Sequence, residues 1–491
     1  MFRGPGGQWR RTFLDAVTEA NSPLELDAVA IASMLSFQYV IDGRSLISHV
    51  RRRSWLAATP CRELDRYGRR LIPRRSAAEE LLGRLRVELA TAFAGAERIT
   101  VLLSGGLDSR LAGGVLLGLA RRGVVTDDIR AVTWGMRTSR DRHYGRQVAR
   151  HLGIGWIPIE LGPGDLLANL DIAAHDLAGL VSPVHLHAMH AVSQLDWSRG
   201  DRILASTLGN GVGRAQYLYR HVSHAKPLQP HDWLSLMRPG LYAQARAGLV
   251  EDLLAFRRRL GAQSAIAVHE CEMLAHYVSG LLLLPFDTLR RAAAPVHQVL
   301  SAPRTYGFLW SLSPIVRGEG LWREALRRCD HELTHIPYAL TGRPLRRLAR
   351  RGPSGLSPHV HRYPIWITRD LADVVDETLS RAWFDDTGIF DGFAVRRAWE
   401  GIRSSPEPHP QTAYLLLWLC ALRRLLETLQ VERRRTAQAA AKLQQPPSTE
   451  TERMATVHPP WGFAGRGRDG RWRLLGSLPR QVLEVARAGR I

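Results

Sequence analysis

The sequence predicts an α/β fold in which a parallel sheet is flanked by helices. Two observations support this fold class. Between residues 98 and 207, short apolar segments of strand length alternate with amphipathic segments of helical spacing. From about residue 230 to residue 430, the pattern is mostly helical. Alternation of strands and helices is typical of a parallel sheet, so we expect a mostly helical C-terminal half after it.

The individual elements follow from their residue patterns. Residues 76–95 show helical spacing, with Ser76 as an N-cap and Glu79 at the capping-box position. We expect strands at 98–103, 129–135, 156–161 and 202–207, and helices at 109–123 and 141–153. The apolar run 413–422 is too short to span a bilayer and predicts a buried helix.

Composition limits the classes of function. The 491 residues carry a formal charge of +21, and Lys226 and Lys442 are the only lysines among 67 basic residues. We interpret the excess of arginine as codon usage in a GC-rich genome; a basic face for RNA or an anionic peptide is the alternative. With two lysines in the chain, few positions can supply a catalytic lysine.

The cysteines and the N-terminus predict a cytoplasmic protein that makes no membrane contact. The four cysteines are scattered, and the N-terminus lacks the apolar core of a signal peptide. The cysteines are Cys61, Cys271, Cys329 and Cys420, and none forms a CxxC pair. This usage fits a reducing compartment better than a disulfide framework.

The segment VLLSGGLDSR, residues 101–110, carries the strongest functional signal. Ser104, Gly105 and Gly106 fall where the first strand should end and a helix begin. Glycines let backbone N–H groups approach a ligand, and a helix N-terminus attracts anions, so this loop predicts a phosphate site. Asp108 would repel a phosphate directly, so we interpret it as a Mg²⁺ ligand.

These residues resemble the PP-loop of ATP pyrophosphatases, and the whole string resembles the synthetase domain of the asparagine synthetase family, which includes β-lactam synthetases and lasso-peptide cyclases of natural-product biosynthesis. The resemblance implies a PP-loop fold, binding of ATP with Mg²⁺, adenylation of a carboxylate and release of pyrophosphate. The nucleotide would contact Ser104, Gly105, Gly106, Leu107, Asp108 and Ser109 in the loop, Thr133, Trp134 and Gly135 at the end of the second strand, and Asp141 beyond it. It would also contact Ser206 at the end of the fourth strand and Gly209 and Asn210 after that strand.

Two further segments extend the resemblance. LLLLPFDTLRRAAAP resembles a segment that lines the acceptor side in the family, with Asp287 as its carboxylate, and HELTHIPYALTGRP resembles a later family stretch. The implied organisation is a junction-like N-terminal segment at 1–75, a synthetase-like domain at 76–432, and a linker or disordered tail at 433–491 with a short terminal element.

Three departures from the family pattern bear on function. Position 2 is Phe2 where glutamine-dependent members expose a cysteine, so we expect an amine or ammonia as the nitrogen donor. The loop STLGNGVGR, residues 206–214, lacks the family's carboxylates, which leaves Asp108 and Asn210 as the metal ligands. The catalytic lysine has no counterpart, and Arg304 or Tyr306 is the candidate to replace it.

Two histidine motifs have a composition that could suggest a metal site. HELTH, residues 331–335, matches HExxH, but no acidic residue occurs between 336 and 369 to complete a thermolysin-like site, so we do not expect a zinc protease. VHLHAMH contains His185, His187 and His190, which we interpret as polar or substrate-facing side chains rather than as a metal site.

We therefore expect an ATP-dependent amide ligase, acting on a small-molecule or peptide carboxylate and on an amine or ammonia, with a precursor peptide or partner protein as a further partner. Two alternatives remain open at this point. One is a degenerate homologue that binds nucleotide or a partner without turnover. The other is a PP-loop enzyme that modifies tRNA, although we do not expect nucleic-acid binding.

Overall fold

The computed structural model describes residues 1–18, 24–41, 43–53, 67–209, 211, 213–214, 230–232, 234–261, 264–345 and 355–444. Residues Met1–Arg435 form one compact unit. Within the described residues, the strands are β1 Phe2–Arg3, β2 Trp9–Arg10, β3 Arg51–Arg52, β4 Arg98–Leu102, β5 Ile129–Gly135, β6 Gly155–Glu160, β7 Asp201–Ala205 and β8 Val296–Gln298.

Helices account for most of the remaining described chain. They are α1 Phe13–Thr18, α2 Ala28–Phe37, α3 Arg74–Ala92, α4 Leu107–Ala120, α5 Arg140–Leu152, α6 Pro163–Asp171, α7 Met189–Ser193, α8 Pro239–Leu260, α9 Ala265–Glu272, α10 Phe286–Ala292, α11 Pro303–Ser311, α12 Glu319–Cys329, α13 Tyr363–Ile365, α14 Ala372–Thr378, α15 Arg381–Asp386, α16 Gly392–Arg403 and α17 Pro410–Gln444. Short 3₁₀ turns occur at Pro183–Leu186, Thr207–Gly209 and His331–Thr334, and π-helical turns at Ile172–Asp176, Met273–Leu282 and Trp366–Asp370.

The central sheet has five parallel strands in the order β6-β5-β4-β7-β8. Chain order runs outward from β4 in one direction through β5 and β6, and in the other through β7 and β8. The order therefore reverses between β4 and β7. In open α/β sheets, ligands bind beyond the carboxyl ends of the strands at such a switch point. The fold thus places the loops after β4 and β7 side by side at the expected ligand position.

Strand β4 contributes to two hydrophobic cores, one on each face of the sheet. Ile99 and Val101 pack into one core with Leu103, and Leu102 packs into the other. Successive side chains of a strand point to opposite faces, so a strand covered on both sides is apolar at nearly every position. This burial explains why residues 101–103 form an unbroken apolar run in the sequence.

The structure confirms the predicted α/β fold class. The four expected strands form, and β5 spans the predicted residues 129–135. The structure adds β8 at the sheet edge and a small antiparallel sheet of order β2-β1-β3 near the N-terminus. These strands contain two or three residues each, too few for an alternating pattern to be recognised in sequence.

The predicted buried helix is part of α17. Leu415–Leu422 is almost completely buried, and the Trp418 indole donates a hydrogen bond to the carbonyl of Gly179 over 2.8 Å. The helix continues to Gln444, past our predicted boundary at 432. Alanine, leucine and glutamine in this stretch favour helix, which explains the extension. The rest of the tail lies outside the described residues. No helix among the described residues is both long enough and apolar enough for a membrane span.

Candidate functional site

The glycine loop, Ser104–Gly106, joins β4 to α4. Its backbone N–H groups donate hydrogen bonds to side-chain oxygens, which hold the loop in place. Ser104 N–H donates to Ser109 Oγ over 3.0 Å, Gly105 N–H to Asp141 Oδ1 over 3.1 Å, and Gly106 N–H to Ser104 Oγ over 3.1 Å. Gly106 is the N-cap of α4 and supplies no side-chain cap. Side-chain oxygens therefore accept the hydrogen bonds of the loop N–H groups. Phosphate oxygens accept such hydrogen bonds at helix N-termini.

Gly105 is required by close packing. A Cβ at this position would lie 2.8 Å from the Cβ of Ala339 and 3.1 Å from the Cβ of Tyr144. Both neighbours are parts of packed elements, so neither contact is easily relieved. Ala339 N–H also donates to the Gly105 carbonyl over 3.0 Å. The segment around Ala339 thus packs against the loop. This segment is the IPYAL stretch, residues 336–340.

Arg110 fixes the loop from inside the fold. It is fully buried, and its guanidinium donates to four backbone carbonyls at 2.7–3.0 Å, those of Gly105, Leu333, Ile336 and Pro337. Burial lowers the pKa of Arg110 to about 10, which keeps it cationic at neutral pH. The same side chain therefore holds the glycine loop and the segment after HELTH.

Asp108, in the first turn of α4, is paired with an arginine. Arg214 Nη2 donates to Asp108 Oδ2 over 3.1 Å, and Arg214 Nη1 donates to the Tyr338 hydroxyl over 2.9 Å. Burial raises the pKa of Asp108 to about 6, against the opposing effects of Arg214 and Trp322. A Cβ on Gly209 would lie 2.1 Å from Asp108 Cγ, so only glycine permits this approach of the second loop.

The described residues do not fit the predicted Mg²⁺ site. Mg²⁺ in proteins is held by carboxylates and other oxygen ligands at about 2.0–2.1 Å in octahedral geometry. Here Asp108 is the predicted carboxylate ligand, and the cation beside it is Arg214. Asn210, the other predicted ligand, lies outside the described residues. The only other carboxylate among the cavity-lining residues, Asp141, accepts the Gly105 N–H.

A cavity of about 420 Å³ opens at the switch point between β4 and β7. Its polar lining residues include Ser104, Gly106, Asp108 and Asp141. The lining also contains two histidines and several apolar side chains. The lining residues are Leu102, Leu103, Ser104, Gly106, Asp108, Ser109, Trp134, Asp141, His185, His187, Met189, Ala205, Ser206, Thr207, Arg214, Leu281, Leu282, Pro285, Phe286, Tyr338, Ala339, Leu340 and Pro358.

His187, which lines the cavity, has an unusual backbone conformation. Its φ of 47° and ψ of −121° are strained for a residue with a side chain, and the buried Asn169 holds the carbonyl through a 2.9 Å hydrogen bond from Nδ2. His187 Nδ1 and the Tyr363 hydroxyl share a hydrogen bond of 3.0 Å. Burial lowers the pKa of His187 to about 4, so the imidazole is neutral at pH 7. Strain held in this way at a cavity wall indicates a functional position.

The other predicted nucleotide contacts divide into lining and supporting residues. Trp134, Asp141 and Ser206 line the cavity together with the glycine loop. Thr133 is buried and accepts a hydrogen bond from the Trp156 indole, while Gly135 has a φ of 138° and lies against the Ser139 side chain. Leu107 is buried in a hydrophobic core.

The three residues proposed for acceptor chemistry lie away from the cavity lining. Asp287 is partly exposed and pairs with Arg290 at 2.6 Å. Arg304 is exposed, and its carbonyl accepts a hydrogen bond from Arg84. Tyr306 is buried and stacks on Trp310 at 5.8 Å. Pro285 and Phe286 of the PFD segment do line the cavity, so the structure brings that segment to the site by its apolar residues.

The HELTH motif forms a 3₁₀ turn. Potential ligand atoms of His331, Glu332 and His335 lie within 4.8 Å of one another on an accessible part of the surface. His335 Nδ1 lies 3.1 Å from Glu332 Oε2, so the glutamate is engaged with this histidine. Within the described part of the chain, no fourth His, Cys, Asp or Glu joins the group. Pro337 follows the turn, as expected for a motif that does not continue as a long helix.

Comparison with known proteins finds a family whose model is similar to part of this chain. The model of the asparagine synthase family matches residues 83–258, which contain the glycine loop and the loop after β7. Members of this family are ATP-dependent ligases that act on ATP, typically with Mg²⁺. No curated protein matches the chain.

Several residues that line the cavity carry no pattern in the sequence by which a role could be assigned to them. Arg214 and Tyr338 lie 124 residues apart in the chain and meet at the cavity. One arginine among 65 offers no signal by itself. His185 and His187, which the sequence predicts to be polar or substrate-facing, both line the cavity.

Proposed function

We propose that this chain forms amide bonds by adenylating a carboxylate with ATP. The carboxylate oxygen attacks the α-phosphorus of ATP, and the bond to the β-phosphate breaks to release pyrophosphate. An amine or ammonia then attacks the acyl carbon, and AMP leaves with the electron pair of the acyl–oxygen bond. The net products are an amide, AMP, pyrophosphate and a proton.

The lining of one cavity at the β4–β7 switch point, where open α/β sheets bind ligands, supports this proposal most strongly. Ser104 and Gly106 of the glycine loop line this cavity, and so do His185, His187 and Phe286. Residues 83–258, which include the loop, are similar to the asparagine synthase family. Adenylation requires the nucleotide and the carboxylate to meet in one enclosed space, and a volume of about 420 Å³ is within the usual range for such ligands.

The loop hydroxyls support binding of a leaving pyrophosphate. Ser104 Oγ and Ser109 Oγ lie 3.1 Å apart at the N-terminus of α4. Each hydroxyl presently satisfies a loop N–H, and each can rotate to donate to an anion instead. A phosphate oxygen that replaces these hydroxyls would accept the freed N–H groups. The internal hydrogen bonds therefore keep the loop in place without ligand and are exchanged on binding.

His187 lines the cavity and is suited to bind the incoming amine. A neutral imidazole can accept a proton or a hydrogen bond from an incoming amine, whereas a protonated imidazole can accept neither. Its stack on His361 and Tyr363 restricts the ring, and the shared hydrogen bond with Tyr363 occupies Nδ1. This arrangement leaves Nε2 as the nitrogen for the substrate.

The described thiols support a donor other than glutamine. Glutaminase chemistry of this class requires an activated thiolate. Cys271 and Cys420 are buried, and burial raises the pKa of Cys329 to about 11 and that of Cys420 to about 12. None of these three cysteines lines the cavity. A thiol with a raised pKa is protonated at pH 7 and is a poor nucleophile.

Trapping of an acyl adenylate tests the proposal. The protein is incubated with ATP, hydroxylamine and a panel of carboxylic acids that includes amino acids, peptide C-termini and side-chain carboxylates of acidic peptides. We expect pyrophosphate and hydroxamate to appear in equal amounts with the matching acid. Release of ADP and phosphate, or no pyrophosphate above background with any acid, would contradict adenylation.

A second candidate function is nucleotide binding without turnover, and one observation favours it. Arg214 lies on the carboxylate that we expected to hold Mg²⁺, and Asp287, Arg304 and Tyr306 lie away from the cavity. Under this candidate, ATP and pyrophosphate bind to the wild-type protein, but hydroxamate stays at background with every acid.

A further inference from the structure

Arg214 provides a positive charge beside Asp108, the residue that the sequence predicts to be a Mg²⁺ ligand. Its side chain is 4% exposed and faces the cavity between the loops after β4 and β7. Among the residues that line the described cavity, it is the only arginine or lysine. Polyphosphate binding needs positive charge, and the described cavity offers it from this one side chain.

The hydrogen bonds of Arg214 leave a donor available. A guanidinium has five N–H donors. One is directed to Asp108 and one to Tyr338, at 3.1 and 2.9 Å. The Nε atom is buried and has no hydrogen-bond partner among the described residues. A buried donor without a partner is costly in free energy, and an anionic oxygen is the ligand that would satisfy it.

The backbone holds Arg214 in position. Arg214 N–H donates to the Gly209 carbonyl over 2.8 Å, and the Gly209 backbone lies directly against the Asp108 carboxylate. Tyr338 is held in turn by a backbone hydrogen bond, because its N–H donates to the Arg343 carbonyl over 2.8 Å. The guanidinium is therefore preorganised by two elements that are distant in sequence.

We propose that this cavity binds the phosphates of ATP and pyrophosphate without a protein-held divalent metal, with the Arg214 guanidinium as the cation. The proposal rests on the function proposed above, because it concerns the same phosphates. In it, Asp108 positions Arg214 and is not a metal ligand. The carboxylate orients the guanidinium through Nη2, while the remaining donors reach the phosphate oxygens. An arginine fork suits this task because it matches phosphate geometry.

Titration calorimetry with pyrophosphate and ATP, each in EDTA and in MgCl₂, tests the proposal on the full chain. We expect wild-type protein to bind pyrophosphate in EDTA with an affinity within about threefold of that in MgCl₂. Arg214→Met should weaken binding in EDTA by about tenfold or more, since it removes a charge-assisted hydrogen bond. Arg214→Lys should be intermediate, because it keeps the charge without the fork.

A matched control comes from the other end of the same strands. Arg98 at the start of β4 pairs with Asp201 at the start of β7 over 2.6 Å and does not line the cavity. Arg98→Met removes an arginine from a comparable ion pair and should leave the affinity for pyrophosphate unchanged. Circular dichroism of each variant establishes that it is folded.

Asp108→Asn distinguishes the two views of Asp108 even if Arg214→Met does not fold. With Arg214 as the cation, the amide removes a repelling charge, and pyrophosphate affinity in EDTA should be kept or rise severalfold. If Asp108 is a metal ligand, binding appears only with MgCl₂ and is lost in Asp108→Asn. That result would overturn the inference and leave the proposed function standing. Absence of binding in both buffers would instead contradict the proposed function.

Discussion

Arg110 Nη2 donates a hydrogen bond to the carbonyl oxygen of Gly105 over 3.0 Å. This bond links the α4 helix to the loop that precedes it, and the same guanidinium reaches three carbonyls of residues 333–337. The loop is therefore positioned by the interior of the fold. A ligand that binds there meets a preformed surface and has little ordering cost.

Replacement of Arg110 tests this interior support. Arg110→Met leaves four carbonyls without their donor in a buried space, so we expect a loss of roughly 3 kcal/mol or more in the free energy of unfolding. Arg121→Met, at the exposed end of the same helix, should change it by less than about 0.5 kcal/mol. Urea denaturation measures both. Equal stabilities for the two variants would show that the carbonyls do not depend on Arg110.

Two glycines of the same region should respond in opposite ways to alanine. Gly105→Ala places a Cβ 2.8 Å from Ala339, so we expect a loss of roughly 1–3 kcal/mol in stability and weaker ATP binding. Gly118→Ala within α4 meets one atom, 3.8 Å away on the Arg122 side chain, and should gain roughly 0.5–1 kcal/mol. Denaturation and ATP titration together separate the steric effect from a general effect of alanine. Unchanged ATP affinity in Gly105→Ala would contradict the role of the loop.

The raised pKa of Asp108 predicts a specific dependence of stability on pH. Its pKa is about 6 in the folded protein against an ordinary value of 3.8, so the folded state binds the proton more tightly. The stability from this group is fully present below the ordinary pKa and is lost as pH rises through the folded-state value. Between pH 5 and pH 7, wild type should lose about 1 kcal/mol relative to Asp108→Asn. A constant difference between the two proteins over this range would show that Asp108 has an ordinary pKa.

Glutamine should not be a nitrogen donor. The described cysteines are outside the cavity lining, and burial raises their pKa values. We expect no glutamate release from glutamine, with or without ATP, whereas hydroxylamine and the natural amine should accept the acyl group. A glutaminase assay coupled to glutamate detection measures this. Glutamate release that persists after repurification and is lost on replacement of a single cysteine would refute the expectation.

Sequence patterns predicted the fold where periodicity was strong. The apolar run before Ser104 and the helix after Gly106 were recognisable because each element satisfies its own local pattern. Strand β8 was not recognisable, because three residues carry no periodicity. Its place at the sheet edge is set by pairing with β7 over Ile203–Ala205, which is a tertiary effect.

The site was predictable at the glycine loop and less so elsewhere. The glycine loop is contiguous, so a phosphate site could be predicted there from local spacing. The rest of the cavity lining combines His185 and His187 with Phe286, and Arg214 meets Tyr338 across 124 residues of chain. Such contacts depend on the relative placement of helices and loops. The sequence predicts Asp287 as the functional residue of the PFD segment. In the structure the adjacent Phe286 lines the cavity, and the Asp287 carboxylate pairs with Arg290 on α10.

We infer that the cavity between the loops after β4 and β7 binds ATP for adenylation. A crystal structure with α,β-methylene-ATP, which cannot be cleaved between the α- and β-phosphates, is the decisive experiment. We predict that its phosphates lie against Ser104 and Ser109 within hydrogen-bond distance of Arg214, with the α-phosphate facing His187. Nucleotide bound elsewhere on the protein, or a cavity that stays empty at saturating analogue, would contradict the account.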